Sequence, residues 1–474
     1  MSLVTWDGPI PAARELGSVH LVGIGGAGMS GIARLLVAQG IRVSGCDAKD
    51  STTLASLRAL GVDVAVGHSA DHVRGVDTLV TSSAIRADNP DLVAALETGV
   101  RVLPRAVALS AAMASKRRIA VAGTHGKTTT TSMLTVALQA AGGDPSYAIG
   151  GDLNEPGSNA HHGTGTFFVA EADESDKSFL VLRPEIAVVT NVEPDHLDNY
   201  GSAAAVHDAF RDFVATLPPN GALIAGADDP GSARLLETAR AGGVTALGFG
   251  VDAGDARIAD LRLSADGSQF DLVRSGERLG HVTLAVPGRY NALNAAAALT
   301  AGVHIGLPFA AMARGLAEFQ GARRRFEPRG VARGVRVFDD YAHHPTEVAA
   351  VLAAARVVAG SGRIIAVFQP HLFSRTQAFA ADFGTALGAA DDVIVMDVFA
   401  AREDPIPGVT GALVAASVPL PAEHVSYQPS WSDVAAEVAR HARPGDLVLT
   451  LGAGDVTMQA PVILRALAEG SPAS

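Results

Sequence analysis

The segment from residue 119 to residue 138 constrains the fold more than any other part of the sequence. A short apolar run, 119–122, is followed by the turn G-T-H-G-K-T-T at 123–129 and then by a stretch with helical spacing. A strand, a glycine-rich turn, a Lys-Thr pair and a helix in this order are typical of a phosphate-binding loop. The unpaired N–H groups and the dipole of a helix N-terminus favour bound anions. The segment therefore predicts a nucleotide site in an α/β protein.

Each residue type in this loop has a chemical reason to be there. Glycines at 123 and 126 let the backbone approach phosphates closely, Lys127 can reach the outer phosphates, and the Thr128 hydroxyl can coordinate Mg²⁺. The general motif has a glycine where this sequence has Val121, so the loop is a tighter variant. The alternative is a structural turn with Lys127 solvated. The residues predicted to contact the nucleotide are Gly123, Thr124, His125, Gly126, Lys127, Thr128 and Thr129.

A second glycine-rich turn lies near the start of the sequence. The pattern Gly23-x-Gly25-x-x-Gly28 follows an apolar run, a helical stretch at 30–39 comes next, and Asp47 ends the strand-like run after it. Asp47 stands nineteen positions after Gly28, a spacing that predicts a mononucleotide-binding βαβ unit. A structural glycine turn and the dinucleotide domain of a hydride-transferring dehydrogenase fit the same pattern, so this segment leaves the ligand open.

Composition excludes several classes of protein. A chain of 474 residues predicts two or three domains. With 37 basic and 49 acidic residues the net charge is −12, which argues against a nucleic-acid partner. The single cysteine, Cys46, excludes an internal disulfide framework and is consistent with a reducing cytosol. Neither a signal peptide nor a membrane-spanning segment is visible, so we expect a cytoplasmic protein without membrane insertion.

Two acidic clusters follow predicted strands in the middle of the chain, at 171–176 and 193–198. The carboxyl ends of parallel strands meet at one edge of a sheet, so both clusters should lie beside the phosphate-binding loop. We select Glu171 and His196, with Thr128, as Mg²⁺ ligands. The other acidic side chains, Glu174, Asp176 and Asp198, are expected to be solvated loop charges.

The region after residue 256 predicts a patch of antiparallel strands, 256–288, followed by a helix. Asn291 and Asn294 share one face of that helix. They could be helix caps, or they could face a purine edge or a metal-bound water, and the sequence does not separate these roles.

The last third of the sequence predicts another series of strands and helices. The basic segment 321–330 is either a solvated linker or the source of an arginine that neutralises a transferred phosphoryl group. After the pair His343-His344, the run 345–347 (Pro-Thr-Glu) predicts a helix start. Histidines and arginines at predicted strand ends would suit an anionic substrate.

Seven motifs stand in one order along the chain: G-T-H-G-K-T-T, E-A-D-E-S-D, T-N-V-E-P-D-H-L-D, G-R-Y-N-A-L-N, R-R-F, D-D-Y-A-H-H-P-T-E and F-Q-P-H. Together they resemble the Mur ligases of peptidoglycan synthesis, from Gly23 to Gly454, and especially an actinobacterial type of the member that adds L-alanine. The resemblance implies an α/β fold of three domains. These are a Rossmann-like UDP-sugar domain (1–108), a P-loop ATPase-like domain with a small antiparallel patch (109–325), and a Rossmann-like closure domain (326–474).

The same resemblance implies roles for individual residues. Catalysis would involve Lys127, His196 and Arg325, the metal ligands would be Thr128, Glu171 and His196, and the adenine side of the ATP site would include Asn291 and Asn294. Arg325 and Asp340 would also serve the ATP. The UDP-sugar and the amino acid would contact Gly25, Gly26, Ala27, Gly28, Asp47, Ser82, Ser83, His343, His344, His371 and Arg375. Two positions, Leu372 and Gln377, depart from the family pattern, where basic residues are expected.

The implied activity is ligation of L-alanine to the lactyl carboxylate of UDP-N-acetylmuramate. ATP and Mg²⁺ would be required, with Mn²⁺ as a substitute, and the chain would be a monomer or a weak homodimer. Four other functions remain as alternatives: a muropeptide-recycling ligase of the same superfamily, a folylpolyglutamate synthetase-like ligase, an NAD-dependent dehydrogenase and a non-enzymatic P-loop regulator. The dehydrogenase leaves the Gly-Lys-Thr loop and the acidic clusters without a role.

Overall fold

The computed structural model describes Trp6 and residues 8–151, 159–401 and 403–469. The Gly, Pro and Asn content of 148–165 predicts a long loop. The structure instead places a short strand at 160–161 within this segment, and its part at 152–158 lies outside the described residues. The described chain forms three sheets of five, ten and six strands. Helices and mostly parallel strands alternate throughout, which confirms the predicted α/β class.

The first sheet contains five parallel strands in the order β3-β2-β1-β4-β5. Its elements are β1 (Val19–Val22), α1 (Ala27–Ala38), β2 (Val43–Asp47), α2 (Thr52–Ala59), β3 (Asp63–Val66), β4 (Thr78–Thr81), α3 (Pro90–Thr98), β5 (Arg101–Pro104) and α4 (Arg105–Met113). The strand order reverses between β1 and β4, which is where open α/β sheets bind ligands. The first glycine-rich turn lies at this point. Helix α1 begins three residues earlier than predicted, because the turn leads directly into it.

The second sheet has the order β15-β14-β13-β12-β11-β10-β6-β9-β7-β8. Its strands are β6 (Arg117–Ala122), β7 (Ser146–Ala148), β8 (Ala160–His161), β9 (Phe167–Glu171), β10 (Ile186–Val189), β11 (Ala222–Gly226), β12 (Thr245–Gly250), β13 (Ala256–Ser264), β14 (Gly267–Arg274) and β15 (Glu277–Leu284). Its helices are α5 (Lys127–Ala140), α6 (Leu197–Tyr200), α7 (Ala203–Ala215), α8 (Pro230–Ala241), α9 (Arg289–His304) and α10 (Phe309–Ala317). Two-residue turns join β13, β14 and β15, as the predicted antiparallel patch requires.

The third sheet has the order β16-β17-β21-β18-β19-β20, with β16 antiparallel to β17 and the other pairs parallel. Its elements are β16 (Glu327–Ala332), β17 (Val335–Asp340), α11 (Pro345–Ala359), β18 (Ile364–Phe368), α12 (Phe373–Leu387), β19 (Asp392–Met396), α13 (Gly411–Ala415), β20 (Val425–Gln428), α14 (Val434–His441), β21 (Leu447–Leu451) and α15 (Gln459–Glu469). The last four residues of the basic segment, 327–330, belong to β16. A linker therefore describes only the part of the segment before this strand.

Two compact units divide the chain. The first comprises the chain through Asp260 with Phe270–Thr283 and Leu293–Phe319, and the second comprises Leu261–Gln269, Leu284–Ala292 and the chain from Gln320 onward. Buried central strands supply much of each core. β10 and β18 are fully buried, continuous apolar runs, as expected of parallel sheets covered on both faces. None of the helices in the described ranges combines the length and apolarity needed to cross a membrane.

Candidate active site

The phosphate-binding loop follows β6, and its neighbours in the sheet bring both acidic clusters beside it. Val121 pairs with Glu171 on β9, and Ala122 pairs with Val189 on β10. The first acidic cluster begins at the end of β9, and the second follows β10 after three residues. Because the three strands are parallel, their carboxyl ends lie together, as the sequence predicts.

Two glycines allow the loop to pack tightly. Gly126 has a φ of +80° directly before the first residue of α5, and a Cβ there would lie 2.6 Å from Oδ1 of Asn294. Gly123 has a φ of +131°, and a Cβ there would overlap the Thr190 hydroxyl. Both positions combine a left-handed backbone with a close neighbour, so a side chain would be strained and crowded at either one.

The other loop residues are tied to the segment that follows β10. The His125 N–H donates to Oδ1 of Asn191 at 2.9 Å. The Thr124 hydroxyl donates to the Glu193 carbonyl at 3.2 Å and accepts the Glu193 N–H at 2.9 Å. Thr129 is buried at the start of α5. These contacts fix the loop from one side and occupy the backbone N–H groups of His125 and, through the Asn191 carbonyl, of Thr124.

Lys127 is held by the loop itself and by a buried carboxylate. Its Nζ donates to the carbonyls of Gly123 at 2.7 Å and Thr124 at 3.1 Å, and to Oε1 of Glu174 at 2.9 Å. Burial alone would lower the pKa of Lys127, but Glu174 and Asp173 raise it, so the side chain stays cationic. Burial raises the pKa of Glu174 to about 7 against the lowering effect of Lys127.

The prediction that Glu174 is a solvated loop charge is wrong, because this residue is only 2% exposed. The segment after β9 places the Glu174 carboxylate beside the loop. Its ion pair with Lys127 offsets the free-energy cost of burying the carboxylate. Asp176 is partly buried and accepts the N–H of Ser178 at 3.0 Å. The Asp198 side chain lies outside the described residues.

The three predicted metal ligands lie around the same loop. The Thr128 hydroxyl donates to Oε1 of Glu171 at 3.1 Å. Nε2 of His196 lies 3.8 Å from Oε1 of Glu174 and 3.6 Å from Oδ2 of Asp195. The Thr128 hydroxyl and the Glu171 carboxylate are oxygen donors of the kind that Mg²⁺ prefers, so these two residues fit this ion, whereas His196 offers an imidazole nitrogen, which Mg²⁺ binds less readily.

The glycine-rich turn after β1 is organised by Asp47. Oδ2 of Asp47 accepts the N–H of Gly25 at 2.9 Å, which ties the end of β2 to the turn. Gly26 is the N-cap residue of α1. Ser82 is partly buried and Ser83 is exposed in the segment directly after β4, the strand next to β1. The predicted residues of the first turn therefore come together at the reversal of strand order.

Two residues near the N-terminus of α1 were missed by sequence reasoning. Arg105 lies so close to Gly28 that a Cβ on Gly28 would overlap its guanidinium. The same guanidinium pairs with Asp173 at 3.1 Å. Burial opposes the ionised form of Asp173, but Arg105 and Lys127 outweigh it and lower the pKa of this carboxyl to about 2. Arg105 thus links the first turn to the acidic cluster of the phosphate-binding loop, and the only sequence signal is its position at a strand end.

Asn159 is the second of these residues. Its Nδ2 donates to the carbonyl of Ala27 at 2.6 Å, and the side chain is buried. The sequence gives no periodic signal for this contact, because Asn159 belongs to an irregular segment.

Asn291 and Asn294 are interior residues of α9, not helix caps, since the helix begins at Arg289. Nδ2 of Asn291 donates to the Pro287 carbonyl at 2.7 Å. Oδ1 of Asn294 accepts the Thr130 hydroxyl of α5 at 3.1 Å. Asn294 therefore supports the phosphate-binding helix directly.

The second unit holds Arg325 and Asp340. Asp340 is buried and accepts the N–H groups of Phe326 and Ala342, both at 2.7 Å. Burial raises its pKa to about 7 against the lowering effect of Arg325. The Arg325 guanidinium lies 5.2 Å from the centre of the Tyr341 ring. In this structure Asp340 organises the segments around it, a role that the motif alone did not predict.

The predicted histidines of the second unit gather near the start of α11. His344 is the N-cap residue and its ring accepts a backbone N–H of the first turn. The His343 N–H donates to Oε2 of Glu347 at 3.0 Å. The His343 and His371 rings are 6.0 Å apart, and Nδ1 of His371 lies 3.5 Å from Nη1 of Arg375. Pro345 begins the helix, as predicted.

The two positions that depart from the family pattern have different surroundings. Leu372 is buried, with a φ of +70°, and its carbonyl accepts the Thr376 hydroxyl at 2.7 Å. Gln377 is exposed on α12. Leu372 therefore contributes to packing at the start of α12, whereas Gln377 faces solvent.

Comparison with known proteins agrees with this geometry. Three family models match consecutive parts of the chain: the Mur ligase family catalytic domain (18–117), the Mur ligase middle domain (121–302) and the Mur ligase glutamate ligase domain (324–454). The chain is 55% identical over 461 residues to the UDP-N-acetylmuramate–L-alanine ligase of Acidothermus cellulolyticus, covering 97% of this chain and 96% of that one. This chain belongs to the Mur ligase family. A protein of the same name from Saccharopolyspora erythraea is 58% identical over 463 residues, with 96% and 94% covered.

Solved structures of other Mur ligases share the fold of this one. The crystal structure of UDP-N-acetylmuramate–alanine ligase MurC from Thermotoga maritima matches with a TM-score of 0.81 at 28% identity, covering 96% of this chain and all of that one (100%). A murein peptide ligase from Psychrobacter arcticus matches with a TM-score of 0.69 at 28% identity, with the same coverage. The three-domain α/β organisation predicted from the motifs is confirmed, and ATP is the nucleotide that this family implies.

Proposed function

We propose that this Mur ligase joins L-alanine to UDP-N-acetylmuramate at the expense of ATP, a step of peptidoglycan precursor synthesis. Relatives of the same name at 55% and 58% identity over nearly the whole chain support this substrate pair. The structural observation that carries the proposal is the cation of Lys127, fixed between the loop carbonyls and Glu174 at the N-terminus of α5. A fixed cation at such a site is what phosphoryl transfer needs.

The proposed reaction has two steps. The lactyl carboxylate attacks the terminal phosphorus of ATP, an acyl phosphate forms, and ADP leaves. The neutral amine of L-alanine then attacks the acyl carbon, the C–O bond to phosphate breaks, and the amine loses a proton as the amide forms. The protein's contribution is positioning and neutralisation of charge.

The two glycine-rich turns divide the substrates between them. The turn after β1 binds the UDP moiety, with Asp47 holding the turn and Ser82 and Ser83 beside it. The turn after β6 binds the ATP phosphates through its N–H groups and Lys127. Two turns in one chain are explained by two nucleotides, whereas a dehydrogenase would use only the first.

Thr128, Glu171 and His196 would hold Mg²⁺, and Mn²⁺ would substitute because it accepts the same oxygen and imidazole donors. When bound, the ion neutralises phosphate charge. The chain's own contribution is the hydrogen bond from the Thr128 hydroxyl to Glu171, which orients the carboxylate toward the loop.

The roles proposed for residues of the second unit rest on the resemblance to the Mur ligase family. Arg325 would neutralise the terminal phosphate. Asp340 would support nucleotide binding by holding the segments whose N–H groups it accepts. His343, His344, His371 and Arg375 would face the muramyl and alanine groups. We propose domain limits at 108 and 325, a cytoplasmic location, and a monomer or weak homodimer.

The test is phosphate release by the full chain with ATP, Mg²⁺ and UDP-N-acetylmuramate, assayed with L-alanine, glycine, L-serine and a stem tripeptide in separate reactions. We expect release that requires UDP-N-acetylmuramate and is fastest with L-alanine. Release with none of these acceptors would contradict the proposal.

A muropeptide-recycling ligase is the second candidate, and the likeness to the Psychrobacter arcticus murein peptide ligase favours it. The same assay separates the two, because a recycling enzyme would use the tripeptide in preference to L-alanine.

A further inference from the structure

A cluster of nitrogen, sulfur and oxygen donors lies in the first sheet, outside the site described above. His20 on β1 shares a strand face with Val22, since side chains alternate along a strand. Val22 packs with Cys46, Val73 and Leu92 in a small apolar cluster on that face, separate from the large core formed by Val19 and Leu21 on the other. Burial of a charged or polar side chain among apolar residues lowers stability unless the side chain has hydrogen-bonding or charged partners.

Asp91, in the first turn of α3, is fully buried, and the other donor atoms lie around its carboxylate. Its carboxylate lies 2.7 Å from Nδ1 of His72, 3.2 Å from Nδ1 of His68 and 3.6 Å from Nε2 of His20. The Cys46 sulfur lies 3.2 Å from Nδ1 of His68. One donor atom each from His20, Cys46, His72 and Asp91 lie within 4.8 Å of one another.

His20 provides an independent sign of a ligand. Its side chain is 3% exposed, and its Nε2 has no hydrogen-bond partner among the residues that the structure describes. Its other ring nitrogen, Nδ1, lies 2.9 Å from the Ser44 hydroxyl. Histidines that bind metals commonly use the second ring nitrogen in this way, which orients the first toward the ion.

We propose that His20, Cys46, His72 and Asp91 form a structural Zn²⁺ site. One thiolate, two imidazoles and one carboxylate are the mixed donor set that a tetrahedral zinc ion takes, whereas Mg²⁺ and Ca²⁺ prefer oxygen alone. Tetrahedral ligands at usual zinc distances stand roughly 3.3 Å apart. Donor atoms 4.8 Å apart would therefore have to approach by about 1.5 Å, and the His72 and Asp91 atoms, now 2.7 Å apart, would have to separate by about 0.6 Å. His72 is 22% exposed, which leaves an entry path for the ion.

The site would join segments that are far apart in sequence. It connects β1, β2, the turn at 70–73 and the start of α3, on the face with the smaller apolar cluster. The carbonyl of Cys46 accepts the N–H groups of Gly23 at 2.8 Å and Ile24 at 3.0 Å. The ion would therefore stabilise the base of the first glycine-rich turn without touching a substrate.

Cobalt substitution tests the proposal with a readout independent of activity. Cys46 is the only cysteine of the chain, so a cobalt–thiolate charge-transfer band can arise from this residue alone. We expect one equivalent of Co²⁺ to give that band in the wild-type protein, and Zn²⁺ to abolish it by competition. Co²⁺ at the proposed Mg²⁺ ligands gives no such band, because they include no thiolate.

Two variants and one control test the ligand set. The band should vanish in Cys46→Ala and weaken strongly in His72→Ala, and it should persist in His161→Ala, which changes a surface histidine paired with Asp144. Absence of the band in wild-type protein would overturn the proposal and leave a hydrogen-bonded histidine–aspartate cluster. An unchanged band in His72→Ala would overturn the ligand set. The wild-type titration tests whether the Cys46 thiolate binds the metal, even if Cys46→Ala fails to fold.

Discussion

At the scale of single residues, Lys127 and Glu174 form one unit. The ammonium is held by two loop carbonyls and one carboxylate within 3.1 Å, so it is positioned before any phosphate arrives. These contacts use all three N–H donors of the ammonium, so a phosphate oxygen would replace one partner while the positive charge stays in place. The Lys-Thr motif identified Lys127, but a local pattern could not identify Glu174 as its partner, since the two are brought together by the return of the chain after β9.

Removal of the cation should remove catalysis. We expect Lys127→Met, which keeps most of the side-chain volume, to lower ADP formation at least about 100-fold. Circular dichroism should show an intact fold, because Glu174 can take up a proton in the variant. The control is Arg211→Ala, which changes an exposed cation of α7. Near-normal ADP formation by Lys127→Met would show that the loop was assigned wrongly.

Glu174 should make stability depend on pH. Its pKa is raised from 4.5 to about 7 by burial, so the native state binds a proton that the unfolded state has released between these values. The free energy of unfolding should therefore fall as the pH rises from about 4.5 to about 7. The fall should be smaller in Glu174→Gln, where the contribution of Asp340, whose pKa is also raised to about 7, remains. Chemical denaturation of both proteins at pH 5 and pH 7.5 measures the difference. Parallel pH profiles for the two proteins would refute the assigned shift.

At the scale of elements, the register of β6, β9 and β10 creates the site. Hydrophobic runs and glycine-rich turns were enough to predict these strands, α5 and the proximity of both acidic clusters to the loop. They did not predict Arg105, Asn159 or the Asn294 contact, because these depend on side chains from sequence-distant segments. The boundary of α1 was missed for a different reason, since no capping side chain marks it.

Helix α5 offers a test of the tight packing at its start. Gly126 and Gly142 flank this helix with φ values of +80° and +87°, but a Cβ at Gly142 would meet no atom within 4 Å. Gly142→Ala should cost about 1 kcal/mol from backbone strain alone. Gly126→Ala should cost a further 1–3 kcal/mol or so from the contact with Asn294. Denaturant titration of the two variants compares their free energies of unfolding. Equal losses of stability would mean that the Asn294 side chain moves away from the new Cβ without an energetic cost.

At the scale of the whole molecule, two glycine-rich turns follow parallel strands, and we propose a separate nucleotide site at each. The fold class, the three-domain organisation and the family followed from the order of seven motifs along the sequence. The buried cluster around Asp91 did not, because its donors stand alone at 20, 46, 72 and 91 and have no recognisable spacing.

Ligand-induced stabilisation should resolve the two sites. A ligand at 100 times its Kd adds about 2.7 kcal/mol to the free energy of unfolding. In Lys127→Met we expect stabilisation by ATP with Mg²⁺ to disappear and stabilisation by UDP-N-acetylmuramate to remain. Asp47→Ala should show the reverse, because it removes the acceptor of the Gly25 N–H that holds the first turn. Thermal melting with each ligand measures both effects, and loss of both responses in one variant would contradict separate sites.

The most direct test is a crystal structure of the protein with a non-hydrolysable ATP analogue and Mg²⁺. We expect the triphosphate on the turn 123–129, with Lys127 on its outer phosphates and the ion beside Thr128 and Glu171. A triphosphate bound elsewhere, with this turn unchanged and empty, would contradict the proposed mechanism.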